Sequence, residues 1–347
     1  MSGVSKAIVQ PLLSWYDAGH RDLPWRSEPA PYRVWVSEIM LQQTRVEAVR
    51  GYFSRWMNAL PDIPALAAAD EAVYTKLWEG LGYYSRVRNL HRAAVLLCEQ
   101  YGGELPADYD RLLALPGVGE YTAGAVASIA FGLPVPAVDG NVLRVAARLD
   151  NDFTPITDAK FKKQTRERFA ALMPSDRPGD LNQSLMELGA TVCLPNGAPH
   201  CDDCPIQHLC EGFHRGNAAV LPLRAAKKAR RVENRTVLVV RCGQLVGLRQ
   251  RPKKGLLAGL WELPSLDGHL SPDELRAALT EMGWSVRKLL SLRPAKHIFT
   301  HVEWHMNGVY VELDAPAPAL TFVTPAELRD AYALPSAFRS FVSVLED

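Results

Sequence analysis

The sequence predicts a mainly α-helical domain followed by a smaller α+β domain. Apolar residues recur at helical spacing through residues 7–131, and no alternating strand pattern interrupts them. Later stretches, such as TVLVVRC at 236–242, alternate apolar and polar residues as half-buried antiparallel strands do. The length of 347 residues and the hydrophobic content of 48% are sufficient for two or three separate cores.

The elements follow in order along both domains. In the first domain, placed at residues 7–215, apolar spacing predicts helices over 7–18, 34–53, 71–81 and 87–101, with two more between 158 and 192. In the second domain, placed at 235–347, alternation predicts strands over 236–242, 244–251 and 297–313, and residues 271–282 predict one helix.

The first domain also contains a predicted helix, turn and helix over residues 112–131. Pro116 and Gly117 stop the first helix, and small apolar residues form the second. Because Gly117 and Gly119 lack Cβ atoms, the turn can adopt positive φ and admit a partner closely. The amides of Gly117, Val118 and Gly119 would then form an anion site suited to a DNA phosphate. An ordinary helical hairpin with capping glycines is the alternative.

A single carboxylate, Asp139, follows this hairpin after a proline-rich break. The layout suits a protein that grips a phosphate backbone and places an acid beside it. The alternative is that Asp139 only caps the next helix, ahead of Asn141.

The charge is unevenly distributed, although the net charge is only +1. Residues 1–215 carry 21 Lys and Arg against 25 Asp and Glu, whereas residues 216–235 carry six basic residues and one acidic residue. We interpret 216–234 as a basic linker that can follow phosphates, with its charge at Arg224, Lys227, Lys228, Arg230 and Arg231. A solvated tether without a DNA role is the alternative.

Four of the six cysteines fall within one short segment. The polar first residues, and the lack of a run of about 18 apolar residues, lead us to expect a soluble cytoplasmic protein, in which disulfides are disfavoured. One Cys-x2-Cys pair flanked by single cysteines favours a cubane [4Fe-4S] cluster over zinc, which usually takes two close pairs. Zinc, or no metal, is the alternative, and Cys98 and Cys242 are expected to be packing residues. The predicted ligands are Cys193, Cys201, Cys204 and Cys210.

Together these residues resemble the MutY family of adenine DNA glycosylases, within the helix-hairpin-helix superfamily that also contains endonuclease III. The resemblance covers nearly the whole chain. Besides the hairpin and the cysteines, its motifs are LPWR at 23–26, VSEIMLQQTRVE at 36–47, LWEGLGYYSRVRNL at 77–90, VDGNV at 138–142 and NQSLMELGA at 182–190. It implies a helix-hairpin-helix glycosylase fold with an iron-sulfur cluster loop at 193–210. One departure is the seven residues between the first two cysteines, one more than the family has, which puts the geometry of the first ligand in doubt.

The resemblance implies that two acids share the cleavage of an N-glycosidic bond. Glu38 would protonate N7 of adenine, and Asp139 would face the anomeric carbon and stabilise the cationic sugar. The apolar neighbours of Glu38 in the sequence would raise its pKa toward the working pH. The alternative for Glu38 is a carboxylate satisfied in the first turn of a helix. Tyr121 and Asn141 complete the implied catalytic set.

Tyr121 stands where the bifunctional endonuclease III carries the lysine that forms a Schiff base. Because tyrosine cannot form one, we expect a monofunctional enzyme that leaves an abasic site and an unbroken backbone. The resemblance implies that Tyr121 packs and hydrogen-bonds beside the sugar and Asp139. The alternative is a helix residue whose hydroxyl lies in water.

The resemblance also implies that the adenine leaves the DNA stack and enters a pocket. The implied lining residues are Arg21, Trp25, Arg26, Leu41 and Gln183, with Gln183 reading the amino edge of the base. The implied wedge residues, which fill the gap and probe the opposite strand, are Gln43 and Tyr83, beside Thr44 and Leu81. Core packing is the alternative for each.

The second domain resembles the MutT-like, or Nudix-like, domain of this family, which recognises 8-oxoguanine. Phe299, Thr300 and His301 stand where the family often has Phe-Ser-His, and threonine keeps the hydroxyl group. Residues 255–264 resemble the start of a Nudix box, but the downstream acidic residues do not supply the pattern that holds Mg²⁺. We therefore expect a reader without catalysis.

The sequence thus predicts a monofunctional glycosylase of base excision repair. Its expected partner is double-stranded DNA with A:8-oxoguanine or A:G mispairs, and we expect no membrane association and a monomer in the bacterial cytoplasm at the nucleoid. The alternatives are a bifunctional, endonuclease III-like enzyme for pyrimidine lesions and a non-catalytic DNA-binding protein that keeps the scaffold.

Overall fold

The structure is a computed structural model that describes residues 5–224 and 229–345. Within these ranges the chain forms two compact units. The helical unit comprises residues 5–68 and 89–224, and the sheet unit comprises residues 69–88 and 229–345. This division differs from the predicted domains, because residues 69–88 group with the later part of the chain.

The part of the chain before the sheet is helical, which confirms the predicted mainly α-helical architecture. Its helices are α1 (Val9–Gly19), α2 (Pro31–Leu41), α3 (Val46–Ala59), α4 (Ile63–Ala68), α5 (Glu71–Leu77), α6 (Ser85–Tyr101), α7 (Tyr109–Leu113), α8 (Glu120–Phe131), α9 (Gly140–Leu149), α10 (Ala159–Ala170), α11 (Pro178–Thr191) and α12 (Glu211–His214). Helix α5 and the start of α6 belong to the sheet unit. None of the helices in the described ranges is both long and apolar enough to cross a membrane.

The single helix predicted over residues 34–53 is wrong, because the chain breaks between α2 and α3. Gln43 has a φ of 58°, a left-handed conformation that cannot continue a right-handed helix. The amide of Thr44 instead donates to the carbonyl of Leu41 at 3.2 Å and closes a turn. Glu38 therefore lies in the last turn of α2, beside this break, and not in the middle of a long helix.

The extended segment between α8 and α9 packs closely against both α8 and α11. A Cβ atom at Gly124 would lie 2.4 Å from the carbonyl oxygen of Pro136, so a larger residue would displace the segment. The buried amide of Asn182 accepts from Ala137 N at 2.9 Å and donates to Val135 O at 2.9 Å. Helix α9, which begins where this segment ends, was not predicted. These contacts fix the approach to the N-terminus of α9.

The described part of the sheet unit contains one eight-stranded sheet. Its strands are β1 (Arg231–Cys242), β2 (Leu245–Gln250), β3 (Trp261–Glu262), β4 (Ser265–Asp267), β5 (Val286–Ser291), β6 (Ala295–Ile298), β7 (Val302–Leu313) and β8 (Thr321–Val323). The main order is β3-β2-β1-β7-β5, with β4 beside β1, β6 beside β7 and β8 beside β2. The helices of this part are α13 (Pro272–Glu281), α14 (Pro325–Ala331) and α15 (Arg339–Val342).

The expectation of antiparallel strands is wrong at the centre of the sheet, where β1 and β7 run parallel. Val237 and Val239 of β1 pack into one core, whereas Leu238 and Val240 pack into a second core on the opposite face. Parallel pairs are usually covered on both faces in this way. The run of apolar residues in β1 therefore reflects burial on both sides.

The basic linker predicted over 216–234 overlaps β1, which begins at Arg231. Arg231 forms an ion pair with Glu233, and Arg230 Nε donates to the carbonyl of Phe299 at 3.1 Å. These two arginines are therefore bound to the sheet unit. Lys227 and Lys228 lie outside the described residues.

Candidate active site

The helical unit contains a cavity of 1160 Å³. It is bounded by the last turn of α2, the hairpin before α8, the segment that ends at Asp139, and parts of α10 and α11. The predicted catalytic residues Glu38, Tyr121, Asp139 and Asn141 all line it. Residues that are 101 positions apart in the sequence, Glu38 and Asp139, therefore share one cavity.

Glu38 is only 6% exposed, because α2 packs its last turn against α8. Burial raises the pKa of Glu38 to about 7, and the nearby charge of Asp139 adds to the rise. A hydrogen bond from Tyr121 and the positive charge of Arg26 act in the opposite direction. A carboxyl group with this pKa can carry a proton at neutral pH and can release it readily.

Tyr121 lies in the first turn of α8, and its hydroxyl donates to Glu38 Oε2 at 2.5 Å. Burial and the two neighbouring carboxylates raise the pKa of Tyr121 well above 10, so the hydroxyl stays protonated. The hydroxyl also lies 3.1 Å from Met186 Sδ. Tyr121 was expected to hydrogen-bond beside Asp139, and in the structure its hydroxyl hydrogen-bonds to Glu38. The alternative of a hydroxyl in water does not hold.

Asp139 caps the N-terminus of α9 while it faces the cavity. Its Oδ1 accepts from the amides of Asn141 and Val142, both at 2.8 Å, and its Oδ2 accepts from Asn141 Nδ2 at 2.6 Å. Burial raises the pKa of Asp139, and these donors oppose the rise. The capping role and the proposed catalytic role are therefore compatible, because the cap fixes the direction of the carboxylate.

Arg144 and Arg148, which the sequence interpretation missed, are buried on α9. Arg144 donates to Asn141 Oδ1 at 2.8 Å and to the carbonyl of Cys193 at 2.8 Å. Arg148 donates to the sulfur of Cys193 at 3.1 Å and to the carbonyl of Leu194 at 2.9 Å. The sequence feature that could have identified them is a pair of arginines four residues apart in an otherwise apolar helix. They connect the cap at Asp139 to the cysteine segment.

All four predicted cysteine ligands line one small cavity of 30 Å³. Burial raises the pKa of Cys204 to about 12, and the charges of the other three cysteines add to the rise. His200 N donates to the carbonyl of Val192 at 2.9 Å, which closes the seven-residue loop and keeps Cys193 at the cavity. Within residues 5–224 and 229–345, no three side chains are arranged around a single metal ion. Four cysteine thiols that line one cavity can hold either a zinc ion or an iron-sulfur cluster.

The other predicted residues of the helical unit also line the active-site cavity: Arg21, Trp25, Arg26, Leu41, Gln43, Thr44 and Gln183. Glu187 was not predicted, although it organises two of them. It accepts from Arg21 Nε at 2.7 Å and from Arg26 at 2.8 Å. Burial alone would raise the pKa of Glu187, but these hydrogen bonds lower it to about 2, so it remains charged.

The hairpin before α8 departs from the predicted anion site at two of its three residues. Gly117 has a φ of 77°, as expected for a turn glycine. Gly119 has a φ of −100°, so it does not need the freedom of glycine for its backbone conformation. The amide of Val118 donates to the carbonyl of Leu115 at 3.1 Å, so it is used within the hairpin.

The remaining predicted site residues belong to the sheet unit: Leu81, Tyr83, Phe299, Thr300 and His301. Tyr83 is 45% exposed, and its hydroxyl lies 2.7 Å from Thr300 Oγ1, a contact that was not predicted. Phe299 packs edge-on against Trp304, with ring centroids 4.9 Å apart. Leu81 is buried, as its packing alternative requires. His301 is exposed.

Glu274, an acidic residue downstream of the Nudix-like segment, has a structural role. Glu274 accepts from Ser271 N at 2.8 Å, and the two residues form a capping box at the start of α13. This carboxylate is therefore engaged in capping the helix.

Two family models match the chain. One describes an HhH-GPD superfamily base excision DNA repair protein and matches residues 36–172. The other describes a NUDIX domain and matches residues 236–344. The first model thus matches a helical part of the chain, and the second matches the part that contains the sheet.

Proteins with curated names match most of the chain. The adenine DNA glycosylase of Mus musculus is 38% identical over 97% of this chain and 77% of its own length. That of Homo sapiens is 35% identical over 92% of this chain and 70% of its own length. That of Mycolicibacterium smegmatis is 41% identical over 66% of this chain and 79% of its own length.

Solved structures match part of the chain. A thermostable thymine-DNA glycosylase is similar with a TM-score of 0.54 and 27% identity, over 60% of this chain and 96% of that one. A trapped endonuclease III-DNA covalent intermediate is similar with a TM-score of 0.51 and 25% identity, over 61% of this chain and 98% of that one.

Proposed function

The chain belongs to the adenine DNA glycosylase family, and we propose that it removes adenine from double-stranded DNA in which adenine is mispaired with 8-oxoguanine or guanine. The enzyme is a monofunctional glycosylase of base excision repair. The observation that carries this proposal is the presence of a buried acid, Glu38, and a half-buried acid, Asp139, in one cavity. Burial raises the pKa of Glu38 to about 7, and the protonated hydroxyl of Tyr121 donates to it.

The two acids are suited to different roles because their surroundings differ. Glu38 is protonated about half of the time near pH 7, so it can give its proton to N7 of the extruded adenine. The electron pair of the C1′–N9 bond then leaves with the base. Asp139, held by three hydrogen bonds, faces the positive charge that develops on the sugar. A water molecule adds to C1′ and gives up a proton.

Glu187 holds the residues that line the base pocket. Its two carboxylate oxygens bind the guanidinium groups of Arg21 and Arg26, which are implied to contact the adenine. Planar guanidinium groups held in this way lose little conformational freedom when a base arrives. The pocket is therefore ordered before the substrate enters.

The sheet unit is the proposed reader of the base opposite adenine. Phe299, Thr300 and His301, which we call the recognition loop, lie at the turn between β6 and β7. Thr300 offers a hydroxyl group, and Tyr83 offers an exposed ring beside it. Both features suit contact with an oxidised purine.

The four cysteines are proposed to hold a [4Fe-4S] cluster, which a set of four thiolates commonly binds. When bound, the cluster supplies cross-links between distant positions of the cysteine segment. Iron and acid-labile sulfide, measured in the purified protein, are expected near four of each per chain. Cys204→Ser should lower both, whereas Cys98→Ser, a cysteine outside the segment, should not.

A gel assay on a duplex with one A:8-oxoguanine mispair tests the activity. We expect strand cleavage only after alkali treatment, because hydrolysis leaves an abasic site with the backbone intact. Cleavage without alkali would favour the bifunctional alternative, and no adenine release would favour the non-catalytic one. That the protein acts as a cytoplasmic monomer stays a prediction, which size-exclusion chromatography with light scattering would test for the monomer.

A further inference from the structure

The turn of residues 78–86, which we call the Tyr83 turn, holds an exposed aromatic ring on an unusual backbone. Gly80, Gly82 and Tyr83 have φ values of 96°, 73° and 47°. A left-handed conformation is ordinary for glycine but is strained for tyrosine. Such a conformation persists only where neighbouring groups hold it.

Arg86 supplies most of those holding contacts. One guanidinium nitrogen donates to the carbonyl of Leu81 at 2.9 Å and to the carbonyl of Gly82 at 3.0 Å. The same guanidinium lies 5.2 Å from the centroid of the Trp78 ring and 5.7 Å from that of the Tyr83 ring. Burial lowers the pKa of Arg86 to about 10, so the group remains charged at neutral pH. Arg86 therefore contacts both the backbone and the ring of the turn.

The ring of Tyr83 has two contacts. The Arg86 guanidinium lies over the ring, and the hydroxyl lies 2.7 Å from Thr300 Oγ1 in the recognition loop. Trp78 Nε1 also donates to the carbonyl of Gly82, at 3.1 Å. A small rotation of the turn would therefore break the contact to the recognition loop.

We propose that Arg86, through its planar guanidinium, is a positioning residue that sets the direction of the Tyr83 ring and so the choice between 8-oxoguanine and guanine opposite adenine. The inference rests on the proposed function. In this proposal Arg86 acts through Tyr83 and not on the bond that breaks. A lysine would keep the charge but could not both bridge the two carbonyls and lie flat against the rings.

The test compares single-turnover rates of adenine release from A:8-oxoguanine and A:G duplexes. Arg86→Gln and Arg86→Lys are each expected to lower the ratio of the two rates about tenfold, since misplacing a positioned group by about 1 Å can cost that much or more. Arg92→Gln, which removes the same charge from an exposed position of the same helix, should leave the ratio unchanged. Thermal melting checks that each variant is folded.

A double-mutant cycle separates positioning from a general structural role. Once Tyr83→Ala has removed the ring, adding Arg86→Gln should change the ratio by less than about twofold, because coupled residues are not additive. Additive losses, an unchanged ratio in Arg86→Gln, or full activity and choice in Arg86→Lys would each overturn the inference. If the wild-type protein releases no adenine from either duplex, it is the proposed function that fails.

Discussion

The active-site cavity and the Tyr83 turn both use an arginine to hold a functional group, yet they hold it in opposite surroundings. In the cavity, the buried Arg144 binds Asn141, which in turn binds the carboxylate of Asp139. In the turn, Arg86 binds two carbonyls and lies beside the half-exposed ring of Tyr83. Burial in the cavity changes the protonation of acids, whereas exposure in the turn leaves a surface for contact.

From this difference we expect the cavity to determine the rate of adenine release and the turn to determine the preference between substrates. A substitution in the cavity should change the rate on every adenine substrate by the same factor, because it acts on the bond that breaks. A substitution in the turn should change the ratio between substrates, because it acts on the opposite base.

Glu38→Gln should give the largest loss. Glutamine keeps the shape of the side chain but has no proton to give, so the single-turnover rate should fall about 1000-fold, within the usual range for a general acid. Both the A:8-oxoguanine and the A:G duplex should show the same factor. Glu99→Gln, at an exposed position of α6, is the control. A change in the ratio between duplexes would contradict this expectation.

Asp139→Asn should lower the rate about 100-fold with little change in melting temperature. Asparagine caps helices about as well as aspartate, so α9 should keep its N-terminus, but the negative charge that stabilises the sugar is lost. Asp158→Asn is the matched control, because Asp158 caps α10 through the amide of Phe161 at 2.9 Å. If the rate fell only as far as the protein unfolded, Asp139 would be a cap and nothing more.

Glu187→Gln should destabilise the protein by about 2 kcal/mol, because it leaves Arg21 and Arg26 without their shared counter-charge. The partial exposure of Arg21 makes this less than for a fully buried pair. The pKa of Glu187 is lowered to about 2, so its stabilising contribution is present above its unfolded pKa near 4.5 and is lost as the pH falls toward 2.

Denaturant unfolding at pH 7 and pH 3 checks this prediction. The difference between the wild type and Glu187→Gln should shrink at the lower pH. Glu167→Gln, at an exposed ion pair with Lys163, should cost little at either pH. An equal cost for both variants would show that the arginine pair has no special need of Glu187.

The pH dependence of the rate should report Glu38 directly. Its pKa is raised to about 7, so the protonated form that donates to N7 is present below that value and disappears above it. The rate should therefore fall about tenfold per pH unit above pH 7. The ratio between the two duplexes should stay constant across the same range. A flat profile from pH 6 to 9 would contradict the assignment of Glu38 as the acid.

Much of the fold and the principal acids could be predicted, because they depend on local pattern or on motifs. Helical periodicity marked most helices, and the resemblance led to Glu38, Tyr121 and Asp139. The break at Gln43 could not be predicted, because glutamine gives no sign of a left-handed backbone. Nor could the parallel pairing of β1 with β7, because alternation carries no information about strand direction.

The contacts that hold the functional groups in place were missed for a different reason. Glu187 meets Arg21 across 166 positions, and Tyr83 meets Thr300 across 217 positions. Spacing within one helix or strand cannot report such contacts, which exist only after the units have folded. The sequence therefore indicated the groups that we propose to react, but not all of the contacts that position them.

Substitutions of the two hairpin glycines give the smallest expected effect. They test whether the hairpin is an anion site or an ordinary helical hairpin with capping glycines. Gly117→Ala should cost about 1–2 kcal/mol, because its φ is 77° and the new Cβ would lie 2.6 Å from Asn89 Cβ. Gly119→Ala should cost less, since its φ is negative and no heavy atom lies within 4 Å of the added Cβ.

The two variants then differ in what DNA binding can show. If the hairpin receives a phosphate, the methyl group of Gly119→Ala fills the space that the phosphate needs, so affinity for an undamaged duplex should fall although the melting temperature barely changes. Fluorescence anisotropy at a fixed salt concentration measures this affinity. Because this loss precedes any reading of the mispair, it should be equal for all duplexes. Unchanged affinity in Gly119→Ala would favour an ordinary hairpin whose glycines only shape the turn.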